Sequence, residues 1–235
     1  MDVLYLCDNT LTKESRCQKD QMMRSLAFFE KTYRKNELIL VDFAQIAVVY
    51  VLQGALKVFI CNDFGAEKLL YYVVEGCSCL ANHHEEEQVY LRLEAGVDCK
   101  VCFVGFFSLM THICEDKDSF TKMLHMISQQ MAAIEANLLD LASCSLKGRI
   151  CKFIAALAEQ STLFTSDGAV ILKKFPSRVD IARFTGIRKR NVIKCLSELQ
   201  EQGIIRKEGK RMIIVDFEQL KAEIAVGCGG KSERK

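Results

Sequence analysis

A chain of 235 residues, half of them hydrophobic, is long enough for one large domain or two ordinary ones and apolar enough to build real cores. Its longest apolar runs, such as IAVVYVL at 46 to 52, fall far short of the roughly 20 residues a membrane span needs, and its start has no basic segment followed by an apolar one, so a cytoplasmic protein with no membrane partner is expected. The net charge of +2 conceals a split: residues 1–144 carry 13 Lys and Arg against 20 Asp and Glu (−7), and residues 145–235 carry 19 against 10 (+9), which assigns a polyanionic partner to the C-terminal part.

From Tyr33 to about Phe103, short β-rich runs (ELILV, VVYVLQGALKVFI, KLLYYVV, VYLRL, KVCFV) alternate with turn-like breaks at Asn62 to Gly65, Gly76 and Gly96. That spacing predicts a compact antiparallel β-domain of many short strands. A different period then takes over: Phe120, Leu124, Ile127, Met131, Ile134, Leu138 and Leu141 step by 4, 3, 4, 3, 4, 3. So long and strict a two-seamed stripe predicts a dimerising coiled coil rather than a helix laid against its own β-domain. A second helix is expected from about Ser145, with Ile150, Phe153, Ile154 and Leu157 on one face, followed by TSDGAVILKKF with a hairpin turn at Asp167-Gly168. The Gly- and Lys-rich tail from Ala225 is expected to be disordered. Twelve cysteines scattered through apolar segments read as reduced thiols rather than disulfides.

The stretch SRVDIARFTGIRKRNVIKCLSELQEQGII, residues 177 to 205, carries the clearest chemistry. Ser177 with Asp180 three residues on reads as a capping box opening a short helix. Gly186 breaks it, and a second helix runs from about Arg188 to Gln202 with Gly203 as its stop. Two helices joined by a tight turn need a small residue at the crossing, a permissive one in the turn and a β-branched one in the second core face. Ala182, Gly186 and Val192 supply them at the spacing of a helix-turn-helix. The start of the second helix would then enter a DNA major groove, where Arg suits guanine and Asn suits adenine. Arg188, Lys189, Arg190, Asn191 and Lys194 are the expected contacts, with Ser177 and Arg178 beside them. IIRKEGKRMIIV reads as a wing whose Lys207 and Lys210 meet phosphates; from Arg178 to Val215 there are 10 basic and 4 acidic residues.

With that motif last, after a long helix and a β-rich N-terminal part, the chain resembles the CRP/FNR family of bacterial transcription regulators over about residues 33 to 224. KNELILVDF, YVLQGALKVFICNDFGAEKLLYYVVEG and SLKGRICKFIAALAEQ are the segments that carry the resemblance. It implies an α+β chain: a sensor β-roll at 1–115, a dimerisation helix at 116–144 and a winged helix-turn-helix domain at 145–235. The implied partners are a palindromic double-stranded operator, a second copy of the chain and RNA polymerase; catalytic residues are not implied. Lys189-Arg190-Asn191-Val192-Ile193-Lys194 departs from the family's usual Arg-Glu-x-Val-Ser-Arg, so a different operator is expected.

The sensor half departs more. Cyclic-nucleotide binders of the family hold the cyclic phosphate and ribose with a Gly-Glu pair and an Arg-Ser/Thr pair. Here Val89 and Tyr90 stand where Arg and Ser/Thr would be, and CSCLANHHEEE has no Gly-Glu. Cyclic AMP is therefore not expected as the effector. Cys77, Cys79, His83, His84, Tyr90 and Arg92 are the candidate effector pocket. The residues leave open a haem or metal, a redox thiol switch, a small organic effector, or no ligand; a metal-dependent enzyme using 77–87 is the remote rival. Cys7 and Cys17 are too few for an iron–sulfur centre from one segment, and Cys99 and Cys102, in a strand, would point to opposite faces.

Overall fold

The computed structural model describes residues 5–6, 13–42, 45–81, 89–159, 163–165, 168–172, 176–209 and 211–229, in two compact units, Met1–Glu135 and Ala136–Lys235. The first contains β1 (Tyr5–Leu6), α1 (Lys13–Leu26), β2 (Ala27–Tyr33), β3 (Leu38–Ile39), β4 (Ile46–Gln53), β5 (Ala55–Asn62), β6 (Glu67–Val74), β7 (Ser78–Leu80), β8 (Val89–Ala95), β9 (Cys99–Gly105) and α2 (Phe106–Glu115), and α3 (Lys117–Ser143) begins in it. The strands form two sheets, ordered β1-β6-β5-β8-β3 and β2-β9-β4-β7. All pairings are antiparallel except the edge pair β1–β6, which is parallel.

The unbroken apolar run VVYVL in β4 has a simple cause. Alternate side chains face two different cores, so neither face can be polar. Val49 and Val51 join Leu56, Val58, Tyr71, Leu93, Val101 and Phe103 between the sheets. Val48, Tyr50 and Leu52 face the other way, with Leu109 and Ile113 of α2 and with Met23, Leu26, Met123 and Met126 from α1 and α3. Cys99 belongs to the first core and Cys102 to the second, so this CxxC points to opposite faces of its strand. Gly54, between β4 and β5, has φ +87°, and a Cβ there would lie 2.5 Å from Asp98 O; glycine alone fits that turn.

The second unit holds the end of α3, then α4 (Leu146–Glu159), β10 (Val170–Leu172), α5 (Arg178–Thr185), α6 (Lys189–Glu201), β11 (Ile205–Glu208), β12 (Arg211–Ile214) and α7 (Phe217–Gly229), with a sheet ordered β10-β12-β11. Ile150, Phe153, Ile154 and Leu157 of α4 are buried, and Phe153 meets Phe184 with ring centroids 5.0 Å apart. Gly168 has φ +85° and Phe164 bridges Val170 across the expected turn; Asp167 lies outside the described residues.

Two expectations fail in this unit. The tail from Ala225 is helical as far as Gly229, because α7 packs backbone-to-backbone on α4. A Cβ on Gly227 would sit 2.6 Å from Gly148 Cα, and Ser145 N donates to Gly227 O at 2.8 Å. The cysteines are not all reduced, since Cys144 and Cys228 are joined by a disulfide. The same close approach of α7 to the start of α4 brings those two sulfurs together.

Candidate nucleic-acid interface and sensor residues

Ser177 caps α5: its Oγ accepts from Asp180 N at 3.1 Å and donates to Asp180 Oδ2 at 2.9 Å. Gly186 ends the helix in the left-handed region (φ 66°, ψ 30°), where glycine carries no Cβ penalty, and its N–H closes on Ala182 O. The chain then turns into α6, whose N-cap is Arg188. Val192, Cys195, Leu196 and Leu199 form the buried face of α6. That leaves Arg188, Lys189, Arg190 and Lys194 exposed and Asn191 half-buried on the opposite side of its first turns. Arg188 makes no side-chain capping bond, and of these four cations only Lys194 has a carboxylate partner among the described residues, Glu198 at 3.8 Å. Four cations crowded onto the first two turns repel one another, and an anionic partner removes that cost.

The wing is the hairpin β11–β12, with Glu208 opposite Arg211 and Gly209 at φ +59° in the turn. Lys207 is exposed, while Met212 opposite it is buried; Lys210 lies outside the described residues. Ser177 and Arg178 are exposed at the start of α5.

On α3 the apolar stripe faces away from its own core: Ile134 is 42% and Leu138 65% exposed, whereas Ala133 is 3% exposed. Phe120, Leu124, Met131 and Leu141 are likewise exposed and Ile127 is half-buried. The inward face is a second stripe, Met123, Met126, Gln130 and Ala133, stepping by 3, 4 and 3. Gln130 on it is a sensor-side contact that sequence reasoning missed. Its Oε1 accepts from Tyr71 Oη at 3.3 Å and from Leu80 N at 3.5 Å, and its Nε2 donates to Ser78 O at 3.4 Å. The signal was available as a polar residue in step with that inner stripe.

Of the candidate effector residues, Cys77 and Cys79 are both buried in the inter-sheet core. Arg92 is engaged by Glu67 and lies over the Phe59 ring, 4.7 Å from its centroid. Tyr90 is partly exposed on β8, and His83, His84 and Glu85 to Glu87 lie outside the described residues. Among the described residues no three His, Cys, Asp or Glu side chains are grouped closely enough to hold a metal ion. The first unit also has a cavity of about 890 Å³ bordered by α1, α2 and the first turns of α3, lined by Met22, Met23, Met123, Met126, His112 and His125 among others. Cys77 reaches its wall, but Cys79, Tyr90 and Arg92 do not.

Burial pushes the Cys79, Cys102 and Cys151 thiols up to about 12 and those of Cys99 and Cys195 to about 11. The thiolate is the nucleophile, so these cysteines should be inert near neutral pH. Brief treatment of the native protein with iodoacetamide should therefore label exposed Cys17 and Cys114 and spare the buried thiols. Peptide mapping that found Cys79 or Cys102 modified in folded protein would contradict that burial.

A double-sheet β-roll, a long helix and a winged helix-turn-helix define a DNA-binding regulator, and no helix of the described residues is long and apolar enough to cross a membrane. Residues 148–223 match the Crp-like helix-turn-helix domain. The chain is 21% identical over 170 residues to the cAMP-activated global transcriptional regulator Vfr of Pseudomonas aeruginosa, covering 70% of this chain and 78% of that one. It is 26% identical over 113 residues to the CRP-like cAMP-activated regulator of Mycobacterium tuberculosis, covering 48% and 50%. Its fold is shared with FixK2 of Bradyrhizobium japonicum (TM-score 0.69, 21% identity, 83% of this chain and 96% of that one) and with a CooA mutant of Carboxydothermus hydrogenoformans (TM-score 0.71, 16% identity, 86% and 89%). Residues 148–223 are thus a Crp-like helix-turn-helix DNA-binding domain, and the chain as a whole is similar to transcriptional regulators of the CRP/FNR type.

Proposed function

We propose that the chain acts in the cytoplasm as a homodimer that binds a palindromic operator and contacts RNA polymerase, and that it has no enzymatic role. In this reading residues 1–115 form the sensor, 116–144 the dimer helix and 145–235 the DNA-binding domain. The observation that carries it is the exposed start of α6, where Arg188, Lys189 and Arg190 stand beside Asn191 without carboxylate partners among the described residues. The outward stripe of α3 supports a two-fold pairing that would set two such helices about 34 Å apart, one turn of DNA. Selection of binding sites from random DNA with the purified protein tests this: enrichment of a two-fold symmetric site is expected, and recovery of unordered sequences would overturn it.

The effector is not cyclic AMP. Val89 and Tyr90 bring no cation to the strand that would meet the phosphate. Arg92 is committed to Glu67 and Lys57 to Glu94. A buried phosphate without a cation pays its desolvation unaided. A ligand that binds the folded state raises its stability by mass action. Millimolar cyclic AMP should therefore leave both the melting temperature and operator affinity unchanged, and a clear rise in melting temperature would overturn this. A small-molecule or redox effector is the remaining class of signal.

A further inference from the structure

We propose that Cys144 and Cys228 form a thiol–disulfide exchange site at the α3–α4 elbow, through which a dithiol/disulfide couple sets the affinity for DNA. The proposal rests on the DNA-binding reading above and names the redox signal at a place outside the β-roll.

The bond spans 84 residues of chain and joins the elbow to the end of α7. Cys144 and Ser145 are the two residues between α3 and α4. Across the elbow Lys152 of α4 pairs with Asp140 of α3, while Cys144 N donates to Asp140 O and Arg149 N to Ser145 O, each at 3.0 Å, at the facing ends of the two helices. Around the disulfide, Gly148 N donates to Ser145 Oγ at 3.1 Å, and Lys147 pairs with Glu223 at 2.7 Å. The Gly148–Gly227 contact completes this seat. Those contacts do not depend on the sulfurs, so they hold the two thiols in register after reduction and the bond can re-form.

Access differs between the two sulfurs. Cys144 is buried, while Cys228 is half-buried on the last turn of α7. An incoming thiolate therefore attacks Cys228 Sγ, forming a mixed disulfide as the Sγ–Sγ bond breaks and Cys144 leaves with the electron pair. Cys144 then takes a proton, and Asp140 Oδ1, 3.6 Å from its Sγ, can accept the new S–H. The second thiol of the reductant, deprotonated, attacks its own first sulfur and expels Cys228. Two electrons and two protons have passed to the cysteine pair, and the dithiol has become a disulfide.

The mechanical consequence follows from where the bond lies. Closed, it ties the elbow to α7 covalently; open, the elbow keeps the Lys152–Asp140 and Lys147–Glu223 pairs, the Ser145–Gly227 hydrogen bond and the glycine contact, which leave it freer to pivot than a covalent tie does. A dimer engaging two half-sites must give up that pivoting freedom, so the reduced protein binds more weakly.

The test uses the full chain, wild type and Cys228→Ser, equilibrated with reduced or oxidised dithiothreitol. Peptide mapping should find the Cys144–Cys228 linkage only in oxidised wild type. Oxidised wild type should bind its selected site at least about fivefold more tightly than reduced wild type, and Cys228→Ser should match reduced wild type under both conditions; Cys144→Ser should repeat that pattern. Hydrogen exchange of the α7 amides, which needs no DNA, should rise on reduction. Absence of the linkage, a smaller or inverted affinity difference, a difference that persists in Cys228→Ser, or unchanged α7 exchange would each overturn the proposal. Failure to bind any site in either state would count against the DNA reading alone, and the exchange of α7 would still decide the tie at the elbow.

Discussion

Glutamate at both Ile134 and Leu138 should yield monomers that bind operator DNA weakly. Both side chains lie on the outward stripe of α3, 42% and 65% exposed, so the folded chain should tolerate their replacement where a partner helix would not. A dimer would bury four of these side chains, each worth about 1.5 to 3 kcal/mol when fully buried. Only 42% of Ile134 and 65% of Leu138 is left to cover, so the gain is about 3 to 6 kcal/mol in total. That is roughly two to four powers of ten in the dissociation constant, before the cost of desolvating the new carboxylates. Glutamate is itself a good helix former, and Gln130 and Ala133 on the inner stripe are untouched. Sedimentation should therefore show a monomer whose circular dichroism is close to wild type. An intact dimer at micromolar concentration would refute the stripe as the seam.

The second large effect is expected on α6. Arg190 lies in the first turn of the helix, exposed, with Asn191 next to it. If Arg190 pairs with a guanine through both guanidinium nitrogens, Arg190→Ala costs about 1 to 3 kcal/mol at the preferred site and relaxes preference at one position of each half-site. Lys207, exposed on β11, carries charge without directional pairing. Lys207→Ala should weaken binding to all sequences alike and flatten its dependence on salt. The two variants must differ in kind and not only in degree. Site selection with each would reveal it, and an Arg190→Ala protein that kept both affinity and preference would sink the assignment.

What could be read from the sequence follows the range of the interactions involved. The α5–α6 turn was legible because its determinants are local: a Ser177 cap, a left-handed Gly186 and a periodic apolar face all lie within about one helix length of each other. The strands of the roll were legible for the same reason, since alternation and turn glycines act over a few residues. The start of the first unit was not. α1 has few apolar residues, and apart from Met23 and Leu26 at its end, what seats it is polar and distant: Tyr50 Oη donates to Asp20 at 2.6 Å, and Arg16 pairs with Glu75. Chain order gives no hint of either pairing. The helical tail and the disulfide were missed by composition, since Gly227 and Cys228 look like the start of a flexible end until Gly148 is placed beside them. Gln130 was hidden by the louder apolar stripe on the same helix.

The facing glycines on α4 and α7 also constrain how this chain can vary. At most buried contacts a larger residue on one side can be answered by a smaller one opposite. Here both sides are already at the minimum: a Cβ on Gly227 meets Gly148 Cα at 2.6 Å, and one on Gly148 meets Gly227 backbone at 3.0 Å. Neither position has a side chain left to surrender. A change at either must be absorbed by moving a whole helix, so the two sites drift only together with the spacing of the elements that carry them.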